Sequence, residues 1–152
     1  MVNVRPVGLA DLESVAVLFD LYRQFYDKAA DYSGAAGFLA QRLSKKDSAL
    51  FVAESEDHKL VGFVQLYPCF SSLGMGRTFL LNDLFVVSDY RRSSVATQLI
   101  EAAHRHAKDC GALSITLETH PDNVKAQALY KKFGYQLDTE YLVMSLNLKN
   151  IE

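Results

Sequence analysis

The run "RTFLLNDLFVVSDYRRSSVATQLIEAA", followed shortly by "LSITLET", constrains the fold of this chain more than any other feature. A β-rich stretch passes through a short polar turn into a helix, and a second β-rich stretch follows. The helix, expected over residues 94–110, carries Val95, Leu99, Ala103, Ala107 and Cys110 on one stripe, with Gly111 where a C-terminal cap belongs. Two strands joined through a helix lie parallel in one sheet only by a right-handed crossover. An α/β sheet is expected around this unit.

The rest of the chain supplies antiparallel partners. "VNVRPV" alternates as a short strand, and Asp11 stands as the N-cap of a helix with Leu12, Val15, Leu18, Phe19, Tyr22, Phe25 and Tyr26 at helical spacing. Residues 33–46 read as a shorter helix with Phe38, Leu39 and Leu43 inward. "ALFVAES", "KLVGFVQLYP" and "RTFLLNDLFVV", separated by "EDHK" and "FSSLGMG", predict three antiparallel strands. Beyond the crossover, "NVKAQALYKKF" is a helix stopped by Gly134, and "YQLDTEYLVMSLNL" offers two closing strands about a turn at residues 138–140. The expected order is β-α-α-β-β-β-α-β-α-β-β: an α/β fold with a mixed central sheet of about seven strands flanked by helices. At 152 residues, a single domain over 1–152 is expected.

Composition removes several function classes. Sixteen basic against 18 acidic residues give a net charge of −2, which is not the strongly cationic surface that holds a nucleic-acid backbone. No segment approaches the roughly 18–20 consecutive apolar residues that span a bilayer, and "MVNVRPVGLADLE" has no apolar leader core. Cys69 and Cys110 form neither a disulfide framework nor a CxxC pair, so a cytoplasmic protein is expected. Cys110 falls on the apolar helix stripe and reads as core. The four histidines lack metal-ligand spacing, His104 and His106 facing apart on a helix, and no metal is expected.

The turn "YRRSSVATQLI" has the layout of an anion site. Backbone amides of residues 92–97 are the unbonded donors that open the helix, and the helix dipole adds positive charge there. Every strand-to-helix turn has such donors, and most bind water. There is no glycine in the turn. With right-handed helical dihedrals over 92–97, no positive φ is required and only side-chain bulk matters, which Ser94 and Ala96 keep small.

The same residues, with "LETHPDNVKAQALYKKFGY", resemble the GCN5-related N-acetyltransferase (GNAT) family. That family's phosphate loop is written R/Q-x-x-G-x-G/A, and Arg91, Ser94 and Ala96 fall on its fixed positions, Ser94 departing from glycine. Its second signature is matched by Asn123, Ala126, Leu129, Tyr130, Gly134 and Tyr135. The element order is similar over nearly the whole chain, and "LLNDLFVVSDYR" looks most like the polyamine and diamine acetyltransferase branch.

The resemblance implies an acyl-CoA N-acyltransferase fold with acetyl-CoA in a cleft between the strand ending at Val87 and the one ending near Glu118. It implies pantetheine pairing to the backbone of Phe85, Val86 and Val87, and pyrophosphate on Arg91, Arg92, Ser93, Ser94, Val95, Ala96 and Thr97. Asn123 and Tyr130, seven residues apart on one helix face, suit one extended ligand. The Tyr130 phenol becomes the general acid for the CoA thiolate, in place of its other reading as a packed tyrosine. An ammonium must lose a proton before it attacks, and Asp83 and Glu118 are the candidate bases, since carboxylates at otherwise apolar positions need a reason. Each also reads as a carboxylate paired with a turn amide or a basic partner.

The expected function is direct acetyl transfer from acetyl-CoA to a primary amine of a small molecule of polyamine, aminosugar or amino acid type. A closed acidic pocket lined by Asp31, Tyr32 and Asp83 would favour a polyamine or aminosugar acceptor, and an open groove beside the first helices would favour a protein. Two alternatives stay open: a protein lysine or N-terminal acetyltransferase, and a catalytically silent acyl-CoA sensor. Members of the family are often dimers, and the apolar "YLVMSLNL" is expected to pair or pack across a homodimer interface.

Overall fold

The computed structural model describes residues 1–150. In chain order the elements are β1 (Asn3–Pro6), α1 (Leu12–Phe25), α2 (Tyr32–Lys45), β2 (Ala49–Glu54), β3 (Leu60–Ser71), β4 (Gly76–Val86), α3 (Val95–Asp109), β5 (Ile115–Thr116) and α4 (Val124–Lys132). Single 3₁₀ turns lie at Leu9–Asp11, Ser88–Tyr90 and Leu148–Asn150. The chain forms two compact units, Met1–Glu118 and Thr119–Glu152.

The first unit holds one mixed sheet in the order β1-β2-β3-β4-β5. Neighbours are antiparallel except β4 and β5, which are parallel and joined through α3, as the crossover pattern predicts. Side chains alternate between the two faces of a strand, and each face of this sheet has its own core. Phe63 and Phe85 pack with Val15, Phe19 and Leu39 of α1 and α2. Their chain neighbours Val64 and Val86 pack with Leu99 and Ala103 of α3. Gly62 permits the close seat of α3, because a Cβ there would lie 2.9 Å from the Phe85 carbonyl and 3.2 Å from Leu99 Cδ1. Pro68 is tolerated inside β3 because β2 stops pairing at Leu66, which leaves the proline on an open edge.

The sheet has five strands and not about seven. Over residues 135–148, where two closing strands were expected, the described backbone forms no ladder. Leu142 and Met144 are 92% and 91% exposed, so the alternating pattern there has no buried face to turn into a strand. β5 is only two residues of "LSITLET". The expected homodimer strand falls in this same segment. Phe38 lies at the edge of the core, stacked on Phe19 with the Arg42 guanidinium 4.9 Å above it. Cys110 is exposed and not core, because it caps the end of α3 where the stripe runs off the sheet.

Arg5 staples β1 to the start of α1. Its two terminal nitrogens donate to Asp11 at 2.7 and 2.9 Å, and its Nε donates to Glu54 at 2.8 Å. That pairing, helped by the Gly8 amide, lowers the Asp11 carboxyl from 3.8 to about 2. A carboxylate with a depressed folded-state pKa stabilises the fold fully above its unfolded value and loses that contribution as pH falls through the folded one. Asp11→Asn is expected to cost about 1 kcal/mol near neutrality, as a partly exposed charge-assisted pair should. In urea unfolding, the gap to the unsubstituted protein should hold from pH 7 down to about 4 and close towards about 2. A gap of constant size at pH 2 would mean that the bond's charge is irrelevant.

Candidate active site

β4 and β5 run side by side for two rungs only, Phe79 with Ile115 and Leu80 with Thr116. β4 continues to Val86, still paired on its other side with β3. Among the described residues no strand covers the outer edge of β4 beyond Leu80, so backbone groups there are open to an extended partner.

Asp83 lies on this open stretch. The β3–β4 register slips at Gln65/Leu66: Gln65 faces Asp83 while Leu66 faces Leu81, leaving Asn82 as the extra residue. Such a bulge re-aims side chains. Asp83 is only 3% exposed; its Oδ2 accepts from Gln65 Nε2 at 2.7 Å and its Oδ1 from Asn82 Nδ2 at 2.9 Å. Tyr22 of α1 stands beside it, and burial together with the carboxylate pushes that phenol far above its ordinary value. Burial, then Asp83, pushes Tyr67 up to about 12. Among the described residues no Lys, Arg or His forms an ion pair with Asp83. Withdrawing a carboxylate from water costs several kcal/mol unless it is paired, and here every hydrogen-bonding partner is neutral. Gln65 Oε1 is also buried and makes no hydrogen bond.

The turn after β4 is built by its arginines and serines. Arg91 Nε donates to the Val86 carbonyl at 2.8 Å, and its guanidinium lies 5.4 and 5.5 Å from the ring centroids of Phe25 and Phe85. That side chain anchors the turn to β4. Arg92 adopts φ of 60°, which corrects the expectation of right-handed dihedrals throughout 92–97: the left-handed bend exists and falls on an arginine. The Ser93 hydroxyl donates to the Tyr90 carbonyl. Ser94 is the N-cap of α3 with φ of −79°, makes no side-chain cap bond, and accepts from Gln98 Nε2 at 2.8 Å.

The amide of Gln98 is the first to bond back into the helix, to the Ser94 carbonyl at 2.9 Å. Among the described residues the amides of Arg92, Ser93, Ser94, Val95, Ala96 and Thr97 have no backbone partner. Six amides at the positive end of a 15-residue helix fit an anion such as a pyrophosphate.

Phe85 and Val86 are nearly buried and Val87 half-buried, so on this stretch it is the backbone edge that is available. Glu118 is exposed, two residues past β5. In the second unit, Asn123 caps α4, its Oδ1 accepting from the Ala126 amide at 3.2 Å. Tyr130 packs edge-to-face on Tyr135 at 5.7 Å, and burial, with Tyr130 beside it, pushes the Tyr135 phenol up to about 12.

Asp31, Tyr32 and Asp83 do not line a closed acidic pocket. Asp31 is exposed and spends its carboxylate capping α2 through the Gly34 amide at 2.9 Å, and Tyr32 is 44% exposed. The residues that sequence reasoning missed are Gln65, Asn82 and Tyr22, the neighbours of Asp83. The one signal for them was a glutamine in the middle of "LVGFVQLYP". No group of three or more His, Cys, Asp or Glu among the described residues has the arrangement of a metal site, and no helix among them is long and apolar enough to cross a membrane.

The sequence pattern of the Acetyltransferase (GNAT) family matches residues 15–135. An uncharacterised N-acetyltransferase of Bacillus subtilis (strain 168), YhfO, is 42% identical over 146 residues, covering 96% of this chain and 97% of its own. A crystal structure described as a probable acetyltransferase superposes with a TM-score of 0.91 at 34% identity, covering 96% of this chain and 97% of that one. The aminoglycoside N-acetyltransferase AAC(6')-Iy, solved with CoA, superposes with a TM-score of 0.81 at 21% identity over 97% of this chain and 95% of that one, a likeness of fold.

Proposed function

Because the chain belongs to the Acetyltransferase (GNAT) family and is an N-acetyltransferase, we propose that it moves the acetyl group of acetyl-CoA directly onto a primary amine of a small molecule. Polyamines, aminosugars and amino acids are the acceptor types. The observation that carries this reading is Asp83: a carboxylate 3% exposed, without a basic partner among the described residues, on the stretch of β4 that β5 leaves open. A cationic acceptor supplies the charge that this carboxylate lacks.

In the proposed reaction the free amides of residues 92–97 hold the pyrophosphate, and the open edge at Phe85, Val86 and Val87 pairs with pantetheine. A backbone N–H near Phe85 or Val86 donates to the carbonyl oxygen as it gains charge, at no cost in reorganisation. Asp83, with Glu118 as the other candidate, takes the ammonium proton. Tyr130 gives a proton to the departing sulfur, and Asn123, seven residues before it on the same face, contacts the CoA. Residues 1–152 act as one acetyltransferase domain. The likeness in fold to a protein solved with CoA supports acetyl-CoA as the donor.

The test is release of free CoA thiol from acetyl-CoA, measured against a panel of polyamines, aminosugars, amino acids and lysine peptides. Turnover on a small amine is the expected result. Turnover confined to peptides would overturn the small-molecule acceptor, and tight CoA binding with silence across the panel would indicate a sensor.

Ser94 supplies a second test. Its φ is ordinary, so glycine would bring no conformational relief there, only space beside the six amides. Ser94→Gly is expected to tighten acetyl-CoA binding roughly three- to tenfold, equivalent to about 1 kcal/mol. Stability should change by only a few tenths of a kcal/mol, as for a serine cap replaced by glycine. An unchanged dissociation constant would mean that the hydroxyl does not crowd the phosphates.

A further inference from the structure

The first unit contains a cavity of about 420 Å³ that none of the proposed catalytic or CoA-binding residues lines. It is bounded by the last turns of α2 and α3, the start of β2, and the far ends of β3 and β4. His106, on its wall, is eleven residues along α3 from Val95, roughly 16 Å from the turn at 1.5 Å per residue. We propose that this cavity is a second ligand site, for a small organic anion: a carboxylate or phosphate monoester joined to a flat apolar group.

Charge gives the sign of the ligand. Arg42, Lys46 and Arg77 line the cavity and no Asp or Glu does. Asp47, next to Lys46 in sequence, lies 3.2 Å from Arg42 Nε, yet neither buried atom makes an aligned hydrogen bond; Asp109, next to Cys110, does not line the cavity. Arg77 stacks 5.5 Å from the Phe70 ring centroid and forms no ion pair among the described residues. Basic residues in the last turn of a helix commonly answer the helix dipole, which accounts for Arg42 and leaves Arg77, on a strand, without that explanation. Lys46 holds a left-handed φ of 52° directly after α2, a conformation that glycine adopts freely, so a lysine stands at this lining position at some backbone cost.

Shape gives the rest of the ligand. His106 stands edge-on to Phe51 and Phe79, with centroids at 5.5 and 5.6 Å, so ring faces and edges form part of the wall. The volume lies within the range of small-molecule sites, which combine apolar walls with a few placed polar groups. Arginine matches carboxylate and phosphate oxygens in pairs, which gives Arg77 a bidentate role.

The test uses the full chain with benzoate, phenyl phosphate and, as the neutral control of similar shape, benzyl alcohol. Binding is followed by saturation-transfer NMR and by the ring signals of His106, one of four histidines. At least one anion should bind saturably and at least tenfold more tightly than the alcohol, and the tighter of the two identifies the headgroup. Arg77→Gln should weaken that binding tenfold or more. Lys46→Gly should weaken it severalfold while the protein stays folded, since the substitution relieves the left-handed residue. Saturating CoA should leave it unchanged. Failure of both anions, equal binding of the alcohol, indifference to Arg77→Gln in folded protein, or displacement by CoA would each overturn the proposal.

Discussion

Asp83→Asn is expected to lower kcat/KM for the amine acceptor about 100-fold at pH 7, within the range for loss of a positioned general base. An alkyl ammonium titrates near 10.4, so at neutral pH well under one acceptor molecule in a hundred is ready to attack without a base. The asparagine variant would draw on that free fraction alone. Its log rate should climb by up to one unit per pH unit towards about pH 10, and the gap to the parent enzyme should narrow along the way. A variant whose profile runs parallel to the parent's would remove Asp83 as the base. Glu118→Gln separates the two carboxylates, because only the true base shows the narrowing gap. Gln65→Leu removes the 2.7 Å donor and should cost about tenfold, less than loss of the carboxylate itself, since Asn82 still donates at 2.9 Å.

What was legible in the sequence was whatever follows from local period and punctuation. The α3 stripe, the crossover, the three antiparallel strands and the ends of α3 and α4 at Gly111 and Gly134 were of that kind, because apolar spacing and cap residues act within a turn or two of where they stand. Long-range register was not. Asp83 was singled out, but the bulge that sets it against Gln65, 18 residues earlier, arises where two strands fall out of step, and neither strand records this alone. Arg91 matched a phosphate-loop position, and its side chain is engaged by a carbonyl and two rings that only folding brings near.

Two failures have a common physical origin. The terminal "YLVMSLNL" has strand propensity, but β propensity measures fit to a half-buried pleated surface, and these residues have none. Cys110 continued the α3 stripe in register, but a stripe is buried only as far as the sheet beneath it extends. In both cases the local pattern was sound and the missing partner decided the outcome. The turn without glycine shows the opposite relation: the left-handed bend that glycine would have made is adopted by Arg92, leaving Ser94 and Ala96 free of any backbone demand.

Tyr130→Phe is the second large effect expected. The substitution keeps the ring that packs edge-to-face on Tyr135 and deletes only the hydroxyl, so α4 should stay folded. If that hydroxyl protonates the leaving sulfur, kcat should fall about 100-fold or more while the acetyl-CoA dissociation constant moves less than about twofold, the pattern of an interaction made only in the transition state. Tyr135 is a poor replacement, because burial lifts its phenol to about 12 and so makes it a weaker acid. Tyr135→Phe should therefore leave turnover within a few-fold of the parent. The acyl donor provides the decisive arm. A thioester whose thiol is more acidic than that of CoA leaves with less need of a proton, so the Tyr130→Phe defect should shrink on that donor, whereas a defect of packing would be the same on both. Equal turnover of variant and parent with acetyl-CoA would end the general-acid role. An undiminished defect on the better leaving group would move Tyr130 from proton donor to support for α4.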